Sequence, residues 1–275
     1  MKAFASAALF LAALFTLNAN AAHVAVTDPV SSQIMQGGSI DLGAVGPGQR
    51  IEIEITRKLG ELDIEGKEKH WERLVVLKDS LPLHWTAQDS QYYEEKMKAF
   101  VLVPSDAADG EYEFALQAID QYGGTPPLDF RAKVKITRDV FSFRILQDRV
   151  SAGAGQPALY TMTLINTGSA SDAFEVEAAS GLPSEWMYKK KVFVPHNSQK
   201  QLQYEVIATD QGEFRVGFKA TSVSSERITA TATAGLSAYS SLMEDAKAAS
   251  RGVLLFPGIE QAVYSLIGLI ATVMG

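Results

Sequence analysis

The sequence predicts an all-β chain, two β-sandwiches in tandem followed by a hydrophobic helical tail, and three observations predict it. Apolar residues alternate with polar ones at period two over most of residues 22–235. Two long segments of the chain match each other block by block. After Gly235 the alternation stops and apolar residues recur at helical spacing. Period two places successive side chains on opposite faces of a strand, so one face is wet and the other buried.

The alternation is strict at several places. Ile51, Ile53 and Ile55 interleave with Glu52, Glu54 and Thr56. Tyr112, Phe114, Leu116 and Ala118 interleave with Glu113, Ala115 and Gln117. Further on, Leu202, Tyr204 and Val206 and then Phe214, Val216 and Phe218 repeat the pattern. Turn-forming clusters separate these runs: "GPGQ", "DSLP", "PSDAADGE", "YGGTPP", "NTGSASD", "SGLP", "PHNS" and "TDQGE".

The internal match starts from "DSLPLHW" (79–85) and "SGLPSEW" (180–186), which share Leu-Pro-x-x-Trp in a chain with 3 tryptophans. Downstream, "DGEYEFALQA" (109–118) lies against "QGEFRVGFKA" (211–220). Upstream, "PGQRIEIEI" (47–55) lies against "AGQPALYTMTL" (154–164). Many short strands, turn-linked, in two similar units, is the pattern of tandem Ig-like β-sandwiches. The expected division is 22–139 for the first domain and 140–235 for the second. Trp85 and Trp186 are expected to close one end of each sandwich, since Pro ends a strand at its edge and lets the flanking Leu and Trp turn inward.

The second unit resembles the Ig-like domains found beside bacterial and archaeal glycoside hydrolases, of the α-galactosidase-associated type, and in archaeal and bacterial envelope proteins. The resemblance is carried by "AGQPALYTMTLINTGSASDAFEVEAASGLPSEWMY", "VPHNSQKQLQYEVIA" and "GEFRVGFKATS", over about residues 150–235. It implies a non-catalytic sandwich in a surface or secreted protein, sometimes near carbohydrate, and supplies no catalytic residues.

Composition narrows the function classes. The net charge of −7, from 25 basic and 32 acidic residues, is unfavourable for nucleic acid. The densest basic run, Lys189-Lys190-Lys191, reads as a solvated strand or turn. Residues 1–21 read as a secretory signal: Lys2, an apolar stretch from Ala7 to Leu17, and Ala19-Asn20-Ala21 before the cleavage point. There are no cysteines, which favours an exported prokaryotic protein stabilised by its cores, and no Asn-x-Ser/Thr sequon, which argues against a heavily N-glycosylated surface.

Chemistry is sparse. There is no metalloprotease, serine-hydrolase or phosphate-loop motif and no cysteine nucleophile, so no catalytic residue, cofactor or metal site is expected. Asp106, Asp109 and Glu111 read as an ordinary acidic turn. A copper site with His23 at the mature N-terminus is a remote alternative. The first unit carries a charged insert, "RKLGELDIEGKEKHWER" (57–73), where the second has a short turn. His70 and Trp71 are therefore the candidate contact loop, with Trp71 as an exposed contact for a partner or a carbohydrate.

The tail, 236–275, reads as two helical segments broken at "GVLLFPG". Leu254, Leu255, Phe256, Ile259, Val263, Leu266, Ile267, Ile270, Val273 and Met274 form its apolar face. As helix, residues 253–274 reach about 33 Å, against a hydrocarbon core of about 30 Å. Pro257 and Glu260-Gln261 interrupt that run, and no basic residue follows it. Four placements stay open: a short anchor, an interfacial helix, a segment packed on a partner's membrane helices, or a hairpin docked on the second sandwich. The resulting expectation is a non-catalytic exported envelope protein, membrane-associated on the extracytoplasmic side, with a carbohydrate-binding accessory module as the alternative.

Overall fold

The computed structural model describes residues 22–239 except 63–64, 93, 122–123 and 182–187. Apart from one 3-10 turn at Lys78–Ser80, the regular elements among the described residues are strands. The first sandwich holds β1 (His23–Asp28), β2 (Ser32–Met35), β3 (Ser39–Val45), β4 (Arg50–Thr56), β5 (Lys58–Leu62), β6 (Glu68–His70), β7 (Arg73–Val76), β8 (Thr86–Gln88), β9 (Lys96–Leu102), β10 (Gly110–Ile119) and β11 (Leu128–Ile136). The second holds β12 (Phe141–Ile145), β13 (Arg149–Gly153), β14 (Pro157–Asn166), β15 (Asp172–Ser180), β16 (Lys189–Val194), β17 (Ser198–Ile207), β18 (Gly212–Ser222) and β19 (Thr229–Tyr239).

In the first sandwich one sheet runs β2-β1-β4-β9-β8 and the other β3-β11-β10-β7; β5 and β6 form a separate hairpin. In the second, one sheet runs β12-β14-β17 and the other β13-β19-β18-β15-β16. Strand by strand, β1-β4-β9 corresponds to β12-β14-β17, and β3-β11-β10-β7 corresponds to β13-β19-β18-β15. That is the Greek-key arrangement of an Ig-like sandwich, made twice. By contacts the chain divides into two compact units. Among the described residues, one takes 22–43, Arg50–Val103 and Gly110–Lys135; the other takes Ala44–Gln49, Pro104–Asp109 and 136–239.

The alternation seen in sequence becomes the core. Ile51, Ile53 and Ile55 of β4 are fully buried, with Phe114, Leu116 and Ala118 of β10 inward from the other sheet. In the second sandwich Tyr160, Met162 and Leu164 of β14 share one core with Phe174 and Val176 of β15 and Val216 and Phe218 of β18. The Tyr160 ring stays inside because its hydroxyl donates to the Gly235 carbonyl (2.8 Å). Burial pushes that hydroxyl's pKa up to about 12.

The two Gly-Gln turns fold alike. Gln49 N–H donates to Gly46 O and Gly48 N–H to Pro104 O; Gln156 N–H donates to Gly153 O and Gly155 N–H to Ala208 O. Gly48 and Gly155 both have positive φ, +80° and +75°, which a side chain would strain. Matching turns at matching places make the repeat a structural fact.

The strand region is longer than expected. β19 continues through Leu236 and Ala238, both buried, to Tyr239, because β18 pairs with it as far as Gly212↔Ala238 and β13 runs parallel to it from Arg149↔Gly235 to Gly153↔Tyr239. Residues 236–239 are therefore strand, not the start of a helix. Gly235 does not end the sheet: a Cβ there would lie 3.2 Å from Arg149 Nε, so the glycine makes room for the arginine that crosses it.

Candidate functional site

Of the two residues proposed for the contact loop, the structure separates one from the other. The charged insert folds as the β5–β6 hairpin, and His70 sits exposed at its end, its Nδ1 2.9 Å from the Lys69 carbonyl. Trp71 is the correction. It is 0% exposed and belongs to the core of the first sandwich. Its backbone N–H donates to Arg57 O (2.7 Å), and its indole N–H donates to the His23 carbonyl (3.0 Å). A buried indole needs one polar partner, and the first residue of β1 supplies it. The loop reading failed because only charged neighbours were visible in sequence. The signal that could have found it is the apolar Trp-x-x-Leu-Val-Val run leading into β7.

Trp85 behaves as expected. It is buried against Tyr112 (ring centroids 5.3 Å) and Phe114 (6.3 Å), both on β10. Leu81 is half-buried, and the tight turn from Pro82 to Trp85 leaves Leu83 exposed and puts His84 at φ +66°. Trp186 lies outside the described residues, as do the signal segment and every residue of the apolar tail face, Leu254 to Met274. Among the described residues no helix is long and apolar enough to cross a membrane.

Asp109 lies 3.8 Å from Arg138, and among the described residues no group of three or more His, Asp or Glu could hold a metal ion. His23 is the first residue of β1, and its carbonyl is the Trp71 acceptor. Lys189, Lys190 and Lys191 lie on β16, the edge of their sheet. Lys189 pairs with Glu175 (2.6 Å) and Glu177 (3.3 Å) of β15. The Glu175 hydrogen bond is the main cause that raises the Lys189 pKa, and the same bond lowers that of Glu175. Lysines on an edge strand discourage another strand from adding there.

Two polar nodes were missed in the sequence. Glu54, on the outer face of β4, is buried, held by the Thr27 hydroxyl (2.8 Å), Lys96 (2.9 Å) and Lys98 (3.4 Å). Burial raises its pKa, but the hydrogen bonds from Lys96, Thr27 and Lys98 outweigh that and hold it below the ordinary value. Asp172 is buried in the second unit. It accepts from Ser222 Oγ (2.6 Å), Ser224 Oγ (2.8 Å) and Gln49 Nε2 (2.8 Å), the last belonging to the same unit. Each node satisfies a buried carboxylate with donors of the fold itself, the arrangement burial demands.

The strand edges are the surfaces that remain. Over β17, Tyr188 stacks on Tyr204 (4.6 Å, 4°), and the Tyr204 hydroxyl donates to the Tyr188 carbonyl. Glu205 N–H donates to the Tyr188 hydroxyl (3.1 Å), and Lys190 Nζ donates to the Gln203 carbonyl (3.0 Å). A residue that the edge would otherwise offer to water is thus met by a side chain from the neighbouring segment.

No protein-family model and no curated protein matches the chain. Solved structures with some likeness include a PapD-like domain of human CEP192, 9% identical, covering 37% of this chain and 85% of that one, with a TM-score of 0.25. The CARDB domain of a Pyrococcus furiosus protein, solved in complex with di-metal ions, is 18% identical over 36% of this chain and 85% of that one, at a TM-score of 0.27. The adhesin InvE of Yersinia pseudotuberculosis is 11% identical over 77% of this chain and 60% of that one, at 0.28. Likeness at this level says nothing of activity or partner. The Ig-like sandwich rests on strand order and register, and no family match extends it to domains associated with glycoside hydrolases.

Proposed function

We propose that this chain is a non-catalytic, exported cell-envelope protein. Two Ig-like domains stand outside the membrane in a structural or protein–protein interaction role. The apolar segment after Tyr239 tethers them to the membrane or to a membrane protein. The observation that carries this reading is the order of parts along the chain. An apolar leader precedes two cysteine-free sandwiches, each with its own core, and an apolar stripe follows them. Sandwiches with rigid cores and exposed loops and edges suit recognition.

The test is fractionation of the full chain beside a truncation ending at Tyr239. The cut belongs there because one after Gly235 would remove four of the five pairs of the β13–β19 ladder. The expected result is a soluble truncated protein and a membrane-bound full chain, with the partner recovered only by the full chain. A full chain found wholly in the soluble fraction overturns the tether. The carbohydrate alternative has lost its anchor, since Trp71 is in the core and not on the surface.

A further inference from the structure

β17 is an edge strand of 10 residues, long for an edge. Its pairing with β14 runs from Ser198↔Asn166 to Ile207↔Pro157. In an antiparallel ladder alternate residues turn their N–H and C=O to the partner or away from it. Gln203 O and Glu205 N–H are taken by Lys190 and Tyr188, so the odd-numbered residues face away from β14. Gln199 and Gln201 share that orientation. The repeat shows that such an edge accepts an antiparallel strand. In the first sandwich β8 pairs with Phe100–Leu102 of β9, at the places that correspond to Glu205–Ile207.

We propose that Tyr188 and Lys190 guard a latent pairing edge, and that the strand they keep off is β17 of a second copy of this chain. The two side chains occupy hydrogen-bonding positions that a fourth strand would use. Tyr188 is held over the edge by its stack on Tyr204, and Lys190 adds a charge that a docking strand would have to displace. Self-pairing fits the sequence of the strand. With two β17 strands antiparallel and their outward residues opposed, Gln201 faces Gln203, Gln199 faces Glu205 and Lys200 faces Tyr204. No like charges meet, and the exposed glutamines can bond across the seam. The guard therefore sets whether this edge stays single or joins two copies.

The absence of cysteine makes the test direct. Full-length Gln201→Cys and Gln203→Cys proteins are prepared with and without Tyr188→Ala/Lys190→Ala, then mixed and mildly oxidised. Opposed residues of a hydrogen-bonded antiparallel pair have Cα atoms about 5.5 Å apart, within disulfide reach. The expected result is a mixed disulfide dimer in the unguarded mixture, at least about tenfold less with the guard intact, and little from either cysteine protein alone. Equal cross-linking with and without the guard overturns the proposal, and so does no cross-linking in the unguarded mixture. Should the double variant not fold, Tyr188→Phe alone keeps the ring on Tyr204 and removes the hydroxyl. Amide exchange at Glu205 is then expected to rise about five- to tenfold, and an unchanged rate removes the guard.

Discussion

Between the Leu-Pro-x-x-Trp motif and the next long strand, the two sandwiches use the corresponding described stretch of chain differently. Each Ig-like unit leaves two edges there, one in each sheet. In the first sandwich the stretch gives its backbone to β9, as β8, and reaches β7 through two side chains and the Ser90 N–H, which donates to the Leu74 carbonyl (2.9 Å). Leu74 N–H donates to Ser90 Oγ (2.8 Å) and Val76 N–H to Asp89 Oδ1 (3.0 Å). In the second it gives its backbone to β15, as β16, and its side chains to β17, through Tyr188 and Lys190. The two strands differ in length. β7 has 4 residues, all paired with β10, and runs into the 3-10 turn. β15 has 9, with Glu175 and Glu177 opposite Lys191 and Lys189. What must be conserved in building the fold is that both edges are covered, not which one receives the strand.

The largest effect expected from breaking this comparison falls on a feature only the first sandwich has. Trp71→Ala empties its core and leaves the His23 carbonyl without its donor, at a cost of about 3–5 kcal/mol. Denaturant unfolding of the full chain is expected to split into two transitions, the earlier one belonging to the first sandwich. A single transition at the parent's midpoint would place Trp71 outside that core.

Next is the side-chain cover of β7. Asp89→Ala removes the acceptor of Val76 N–H and the partner of Arg73 (2.8 Å). The expected loss is about 2 kcal/mol, with faster amide exchange at Val76. If exchange there does not change, Asp89 is not what covers the edge.

The smallest effect sharpens a contrast in charge. At the place in β14 that matches Glu54 of β4 stands Thr161, which bonds to the Gln147 side chain instead (2.8 and 3.2 Å). Glu54 is more acidic folded than unfolded, so its contribution is present above the unfolded pKa, about 4.3. It is lost as pH falls through the folded value. Glu54→Gln is expected to cost about 1–2 kcal/mol at neutral pH and nothing at low pH, flattening the acid limb of the first sandwich. Stability against pH for both proteins checks this; parallel curves would clear Glu54.

Much of this architecture was legible in the residues. Period-two alternation, such as Ile51-Ile53-Ile55, directly encodes which face is buried, and the paired Gly-Gln turns carried the repeat. The strand switch was not legible, because it depends on which edges the rest of the fold leaves open. Trp71 was misplaced because its burial is decided by β1, far away in sequence. Leu236 and Ala238 fit period two as well as a helical spacing, and the ladders with β13 and β18 decide between them. Of the candidate site, His70 lies where a surface residue was expected. Tyr188 carried no sequence signal, since its role is set by the Tyr204 ring and the Glu205 amide it meets.

The parallel run of β13 beside β19 has a mechanical consequence. The chain enters this ladder at Arg149 and leaves it at Tyr239, at opposite ends of the same five residue pairs. Tension pulling those two points apart slides the strands along each other, so every rung bears load together. An antiparallel pair pulled from one end would open one rung at a time. Force applied at Arg149 and Tyr239 therefore loads this ladder in shear, and a pulling measurement on the second sandwich through those two points should show one abrupt rupture and no gradual peeling.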